Sequence, residues 1–398
     1  MERKKIRNIL TDSGWSIAGT VIMTAAAQFL VYPFWERKFG TEKYGVIIYL
    51  ISLMNIVSIT CGSSLSYTRI MLSAKSTTKN FPYLLLLSLL SIISAVYALV
   101  VSFFNSTLLS YADIVCYVIL CVITTWRYYA DVEYRIHLNY KGFFLYYTLI
   151  GTGYVGGMLL MSLTDLWALA LIPGELLGLL FVVLKGHIFK TDEFKREELA
   201  ELSKTFAVLI GSNLINTLIF NADRILINHA LGSVALSVYY VSSLFGKTLS
   251  LITTPLNGVI SGYIARFNGV PKKKTKLLVI TAAIALALLS ALACTIGGHI
   301  ILPVLYPETF PLAKDRIFIC SLTQTIYFST NIISVIMMRF ANKKHQLISN
   351  IVYASCFAAI CIPMTAFGGT DGFYISFLLT AGSRFIYNSI IVFRIKKE

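Results

Sequence analysis

Charge is scarce in this sequence. Asp, Glu, Lys and Arg make up 13% of its 398 residues, about half the share usual in soluble domains. Carboxylates are the scarcer kind, 19 against 34 Lys and Arg, for a net charge of +15. That shortage excludes a soluble domain with an ordinary aqueous surface. Catalytic and metal-binding patterns are missing too. The five histidines (137, 187, 229, 299 and 345) are scattered with no paired spacing, and the seven cysteines (61, 116, 121, 294, 320, 356 and 361) form no CxxC or Cys/His spacing. There is no GxSxG, Walker A, HExxH or DxD-like cluster. No catalytic residue, metal or other cofactor is therefore expected, and the chain does not read as an enzyme. The cysteines lie in or beside apolar runs and read as reduced structural thiols.

Apolar residues are what the sequence has instead. They make up 57% of it, with a mean hydropathy of +0.74. Most fall into runs of about 20 residues, the length that crosses a bilayer core. The runs are continuous rather than ten-residue alternations, which favours helices over a barrel. Twelve spans are predicted, at 14–35, 44–66, 83–104, 112–130, 143–163, 166–185, 205–222, 233–256, 277–301, 313–338, 347–367 and 372–393. The first follows "MERKKIRNILTDSGW" with no small-residue cleavage site, so it reads as a retained span.

Basic residues set the orientation. With the N-terminus inside, the inner segments hold 26 of the 34. Both termini are then cytoplasmic, and the +15 marks the cytoplasmic face rather than a nucleic-acid partner. The outer loops, such as "FNSTLLSYAD", "SLTD" and "GGTDG", are too short for a domain of their own. The longest inner connection, 186–204, divides the chain into lobes 1–195 and 196–398, six spans each. The lobes echo each other faintly. "KFGTEKYGVIIYL" leads into span two through Gly40, and "ALGSVALSVYYV" leads into span eight through Gly232. Repeats of like orientation are related by an axis along the membrane normal, and transport folds place substrate at such repeat interfaces.

A few polar residues interrupt the spans. Lys247 stands in "VYYVSSLFGKTLSLITTPLNG", roughly 21 Å along the axis from Gly232. A central Lys costs about 2.5–3.5 kcal/mol even on the lenient insertion scale. Tyr240, Ser243, Lys247, Ser250, Thr254, Asn257 and Ser261 recur at helical steps on one face. An isolated Ser or Thr in a span is ordinarily interhelical glue. A full stripe around a Lys points to a hydrated cavity. Span one offers Gln28, span seven Asn213 and Asn216, and span twelve Arg384 near its midpoint. Glu175, after Pro173 and Gly174, is the one carboxylate near the middle of a span. It could serve ion coupling, helix packing, or pairing with Arg384. Asp223 and Arg224 lie near the outer surface, as a gate or a salt bridge.

The stretch 221–256, with Asp223–Arg224, Gly232 and Tyr239–Tyr240, resembles the polysaccharide-transport flippases, the Wzx-type exporters of O-antigen repeat units. "KFGTEKYG" (38–45) is similar to their opening between spans one and two. The resemblance implies a fold like that of the multidrug exporters (MATE), with two six-helix lobes around a central cavity lined by spans one, two, seven and eight. It implies a bacterial inner-membrane protein that moves an oligosaccharide on undecaprenyl pyrophosphate to the periplasmic leaflet. Its surroundings would be membrane lipids and a polysaccharide polymerase with its chain-length regulator. Lys247, Arg384, Gln28, Asn213, Asn216, Tyr240, Ser243 and Ser250 would face the substrate, with Lys247 holding the diphosphate or an acidic sugar. The rival within the superfamily is a drug or cation antiporter, whose cavity needs carboxylates. A membrane glycosyltransferase or polymerase is the enzyme rival and needs an outer catalytic loop.

Overall fold

The computed structural model describes residues 2–73, 79–105, 109–190, 196–249, 272–342 and 344–395. Every regular element among them is helical. In chain order they are α1 (Glu2–Ala25), α2 (Tyr32–Ser58), α3 (Ser64–Ser73), α4 (Phe81–Phe104), α5 (Tyr111–Ala130), α6 (Val132–Ile136), α7 (Tyr140–Thr164), α8 (Ile172–Lys185) and α9 (Arg196–Thr248). They continue as α10 (Lys273–Leu305), α11 (Phe310–Ala313), α12 (Ile317–Phe340), α13 (Lys344–Cys356) and α14 (Ile362–Arg394). Wide π turns join α1 to α2, α2 to α3 and α13 to α14.

Among the described residues, eight helical stretches are long and apolar enough to cross a membrane. Three of them carry one glycine in a non-helical conformation, at Gly40, Gly232 and Gly369. Those three breaks turn eight stretches into eleven spans, and α8 with the 3₁₀ turn Trp167–Ala170 before it makes the twelfth. The protein is an all-α polytopic membrane protein. Its helices are apolar well beyond one face, as a bilayer requires. On α4, Leu89, Ile92, Ile93, Val96, Leu99 and Phe103 are all exposed. Span eight is described as far as Leu249. Ser250, Thr254, Asn257 and Ser261 therefore lie outside the described residues.

Two of the π turns have a cause readable in the sequence. Ala26–Val31 is followed by Tyr32–Pro33, and Phe357–Cys361 by Ile362–Pro363. A proline ring clashes with the carbonyl four residues back and offers no N–H to it, so the turn before it widens. Pro173 instead occupies the first turn of α8, where the missing N–H has no intrahelical partner to lose. Pro173 and Gly174 lie just past the junction between the 3₁₀ turn and α8.

Gly40 and Gly232 share one conformation, with φ 76° and ψ 169° at the first and φ 86° and ψ 174° at the second. That region is essentially closed to residues with a Cβ. The two stretches that echo each other in sequence thus turn by the same backbone device.

The chain forms two compact units, Met1–Phe39 with Val46–Asp223, and Gly40–Gly45 with Arg224–Glu398. In the first, α7 packs along α1 and α8, and α4 along α5. In the second, α12 packs between α10 and α14, and α13 lies against α14. One core cluster there joins Ala283, Ile333, Ile336, Met337 and Val392.

Candidate functional site

The first unit contains a buried ion pair. Arg127 on α5 reaches Glu175 on α8 at 2.7 Å, and Tyr154 on α7 donates its hydroxyl to the same carboxylate at 2.6 Å. Arg127 is 5% exposed and Glu175 2%. Small residues bring the helices this close. Gly153 faces the backbone of Gly174, and Gly178 faces the side chain of Ile150. Such a triad presents no net charge, and its parts hold one another in place. Glu175 therefore finds its cation within its own unit. Arg127 was not singled out from the sequence, where it reads as one more basic residue at the inner end of a span. Its signal was Glu175 itself, since a carboxylate buried in a bilayer demands a partner.

The polar side of span seven is occupied by hydroxyl and amide contacts. Asn213 donates to the Ser64 hydroxyl at 2.8 Å, and the Thr217 and Thr60 hydroxyls are 2.9 Å apart. Each pair is one turn from the other on both helices, which makes a short polar ladder. Asn216 is exposed, and Gln28 is half-buried in the π turn after α1. Asp223 is buried, 4% exposed. Four more buried carboxylates among the described residues of this unit were not read from the sequence, and one of them, Asp113, accepts from Ser110 at the start of α5. Glu36 is fully buried. Asp131 accepts from Ser66, Tyr147 and Arg135. Glu133 accepts the backbone N–H groups of His187 and Ile188 at 3.1 Å each, which ties the chain after α8 to α6.

The second unit contains the two cations singled out in the sequence. Lys247 lies 5.1 Å from the centre of the Tyr239 ring, a distance at which the ring face attracts a cation. Tyr239 is enclosed by Phe373, Tyr374 and Phe377 of α14, and Gln324 of α12 reaches its hydroxyl at 3.4 Å. Gly246 lets α9 approach Ser321 and Gln324 without a side chain between them. Arg384 lies over the Tyr327 ring at 4.9 Å and near Asn350 at 3.5 Å. Ser243 is fully buried, and its hydroxyl bonds to the Tyr240 carbonyl of its own helix. Tyr240 packs edge-on against Tyr44 and under Arg224 at 5.2 Å.

The two echoing stretches meet in this unit. Ser237 donates to the Thr41 carbonyl at 2.6 Å, and the Thr41 hydroxyl lies 3.2 Å from that of Thr309. Gly45 runs against the backbone of Ser233, where a Cβ would not fit. The first unit thus holds a buried ion pair and an arginine, Arg69, over the Tyr83 ring, and the second holds Lys247 and Arg384 over the Tyr239 and Tyr327 rings.

No protein-family model matches the chain, and no curated protein sequence does. Solved structures do share its fold. The lipid II flippase MurJ, in an inward closed conformation, superposes with a TM-score of 0.59 at 14% identity, over 96% of this chain and 86% of that one. A multidrug resistance MATE family transporter of the MOP superfamily, facing inward, gives 0.62 at 12% identity, over 96% and 94%. A MOP superfamily transporter from Pyrococcus furiosus, described by a reversed polarity of its binding pocket, gives 0.58 at 15% identity, over 98% and 96%. At these identities the likeness establishes the fold, which is the MATE-like fold expected from the sequence.

Proposed function

We propose that this chain is a flippase of the polysaccharide-transport group within that superfamily. It moves an oligosaccharide repeat unit on undecaprenyl pyrophosphate from the cytoplasmic to the periplasmic leaflet by alternating access. The single observation that carries the reading is the charge inside the second unit. Lys247 faces an aromatic ring there, and Arg384 lies buried near the middle of α14. A diphosphate group needs a cation in a place cleared of water. The sequence resemblance of 221–256 supports the same substrate, and the fold is one that a lipid II flippase uses.

In this reading the lobes 1–195 and 196–398 are the two moving halves. Lys247 is the principal ligand of the diphosphate, and Arg384 contributes less. Gln28, Asn213, Asn216, Tyr240, Ser243 and Ser250 line the path of the sugar. Asp223 and Arg224 act at the outer mouth. The protein belongs in the bacterial cytoplasmic membrane with both termini inside, beside a polymerase and its chain-length regulator, and it forms and breaks no covalent bond.

The drug or cation antiporter of the same fold is the second reading. Its cavity needs a carboxylate able to exchange ions. Glu175, the mid-span carboxylate, is committed to Arg127 and Tyr154, which favours the flippase. Deleting the gene tests the choice. The surface glycan should disappear while repeat units continue to be built on the lipid, and a normal glycan in the deletion strain overturns the proposal.

A further inference from the structure

The buried arginines are met in different ways. Arg69, in the first unit, donates to Tyr129 and Asn80. Arg127 meets Glu175. Arg384 is 6% exposed and meets no carboxylate among the described residues. Its Nη2 contact to Asn350 Oδ1, at 3.5 Å, is at the outer limit of a hydrogen bond. Its Nε and Nη1 are buried and have no acceptor. The groups in contact with it among the described residues, Tyr327 and Asn350, are neutral. Tyr327 on α12 offers its ring face. Asn388, one turn further along α14, donates to Ser334 at 2.8 Å. Ser349, beside Asn350 on α13, has a buried hydroxyl without a partner. Tyr327 is the titratable group in contact with Arg384, and Tyr387 on α14 and His345 on α13 bond to each other at 2.8 Å.

A guanidinium does not shed its proton. A carboxyl or an amine buried without a partner can neutralise itself, but an arginine cannot. Neutral acceptors can meet such a charge, as Tyr129 and Asn80 do for Arg69, but Arg384 has only the long Asn350 contact, and an uncompensated charge in a protein interior is very costly. We propose that Arg384 anchors a site for a small inorganic anion inside the second unit, where α12, α13 and α14 pack together, and that chloride fits it. The ring of Tyr327 covers one face of the guanidinium. The anion takes the edge carrying Nε–H and Nη2, where Nε has no acceptor and Nη2 only the long Asn350 contact, with the Ser349 hydroxyl as a further donor on the neighbouring helix. Asn350 is half-buried and its contact to Arg384 is long, so its side chain gives way to the ion. The site is distinct from that of Lys247, and a diphosphate could draw on Arg384 only by displacing the ion. It stands whether or not the chain moves lipid-linked sugars.

The test is thermal unfolding of the purified protein as chloride replaces gluconate at constant ionic strength. Chloride should raise the wild-type Tm by a few degrees and saturate. Arg384→Gln should remove that response. Asn350→Asp, which supplies a carboxylate in place of the ion, should raise the Tm in gluconate and also remove the response, and it decides the matter if Arg384→Gln fails to fold. A wild type insensitive to chloride overturns the proposal, as does a full chloride response in either variant. A response to phosphate without one to chloride overturns the assignment of a small ion.

Discussion

Lys247 and Glu175 make opposite predictions at the residue scale. Lys247→Ala should abolish export at normal protein levels, and Lys247→Arg should retain part of it, because the diphosphate needs the charge. Export at the wild-type level in Lys247→Ala would mark a structural lysine. Glu175→Gln strands Arg127, and breaking one partner of a buried pair costs about 3–5 kcal/mol. Its Tm should fall sharply, and the double change Arg127→Met with Glu175→Leu should recover most of the loss, since an apolar pair of similar volume replaces a buried ion pair at little cost. If Glu175 couples ion flow, the recovered double variant folds but loses transport driven by a pH gradient. Lys247 and Arg384 were legible in the sequence because a cation in an apolar run is conspicuous. Arg127 was not, because its partner lies 48 residues away, a separation no helical spacing encodes. Nor do spacings show what satisfies a hydroxyl. Ser243 belongs to the polar stripe of span eight, yet its hydroxyl is taken up by the carbonyl of Tyr240, as a serine in an apolar helix often arranges.

At the scale of elements, the glycines decide where spans turn. Gly232 has open space where a Cβ would go, so Gly232→Ala isolates the cost of the backbone conformation, of order 1–3 kcal/mol. Gly40→Ala should cost a similar amount, since its one near neighbour, Glu308, is at an ordinary contact distance of 3.6 Å. Gly211 on α9 also has open space but helical geometry, and Gly211→Ala should stabilise by up to about 1 kcal/mol. Thermal unfolding of the three variants checks the contrast, and equal shifts in all three would remove the role given to positive φ. The twelve spans were readable because the apolar runs match the bilayer. The faint echo between the lobes rested on Gly40 and Gly232, and the shared backbone conformation supplies the physical reason those residue types recur. The π turns could have been read from Pro33 and Pro363. The 3₁₀ turn before α8 could not, because "WALALIPG" is apolar throughout and fits a continuous span equally well.

At the scale of the molecule, the open matter is what drives the substrate outward. A diphosphate is anionic and the cell interior is negative, so outward movement gains about 2.3 kcal/mol per charge per 100 mV. A fixed Lys247 leaves that gain intact, whereas a lysine travelling with the anion would cancel one charge. Proton or sodium antiport would need Glu175 to leave Arg127 in each cycle. The membrane potential is therefore the expected source. The measurement that tests the account most directly is translocation of an undecaprenyl-pyrophosphate oligosaccharide in vesicles holding the purified protein, with the potential and the pH gradient imposed separately. Wild type should move the lipid in response to the potential alone, and Lys247→Ala should not move it at all. A wild type that leaves the lipid in place under either gradient, while exporting a cationic drug, would contradict the account.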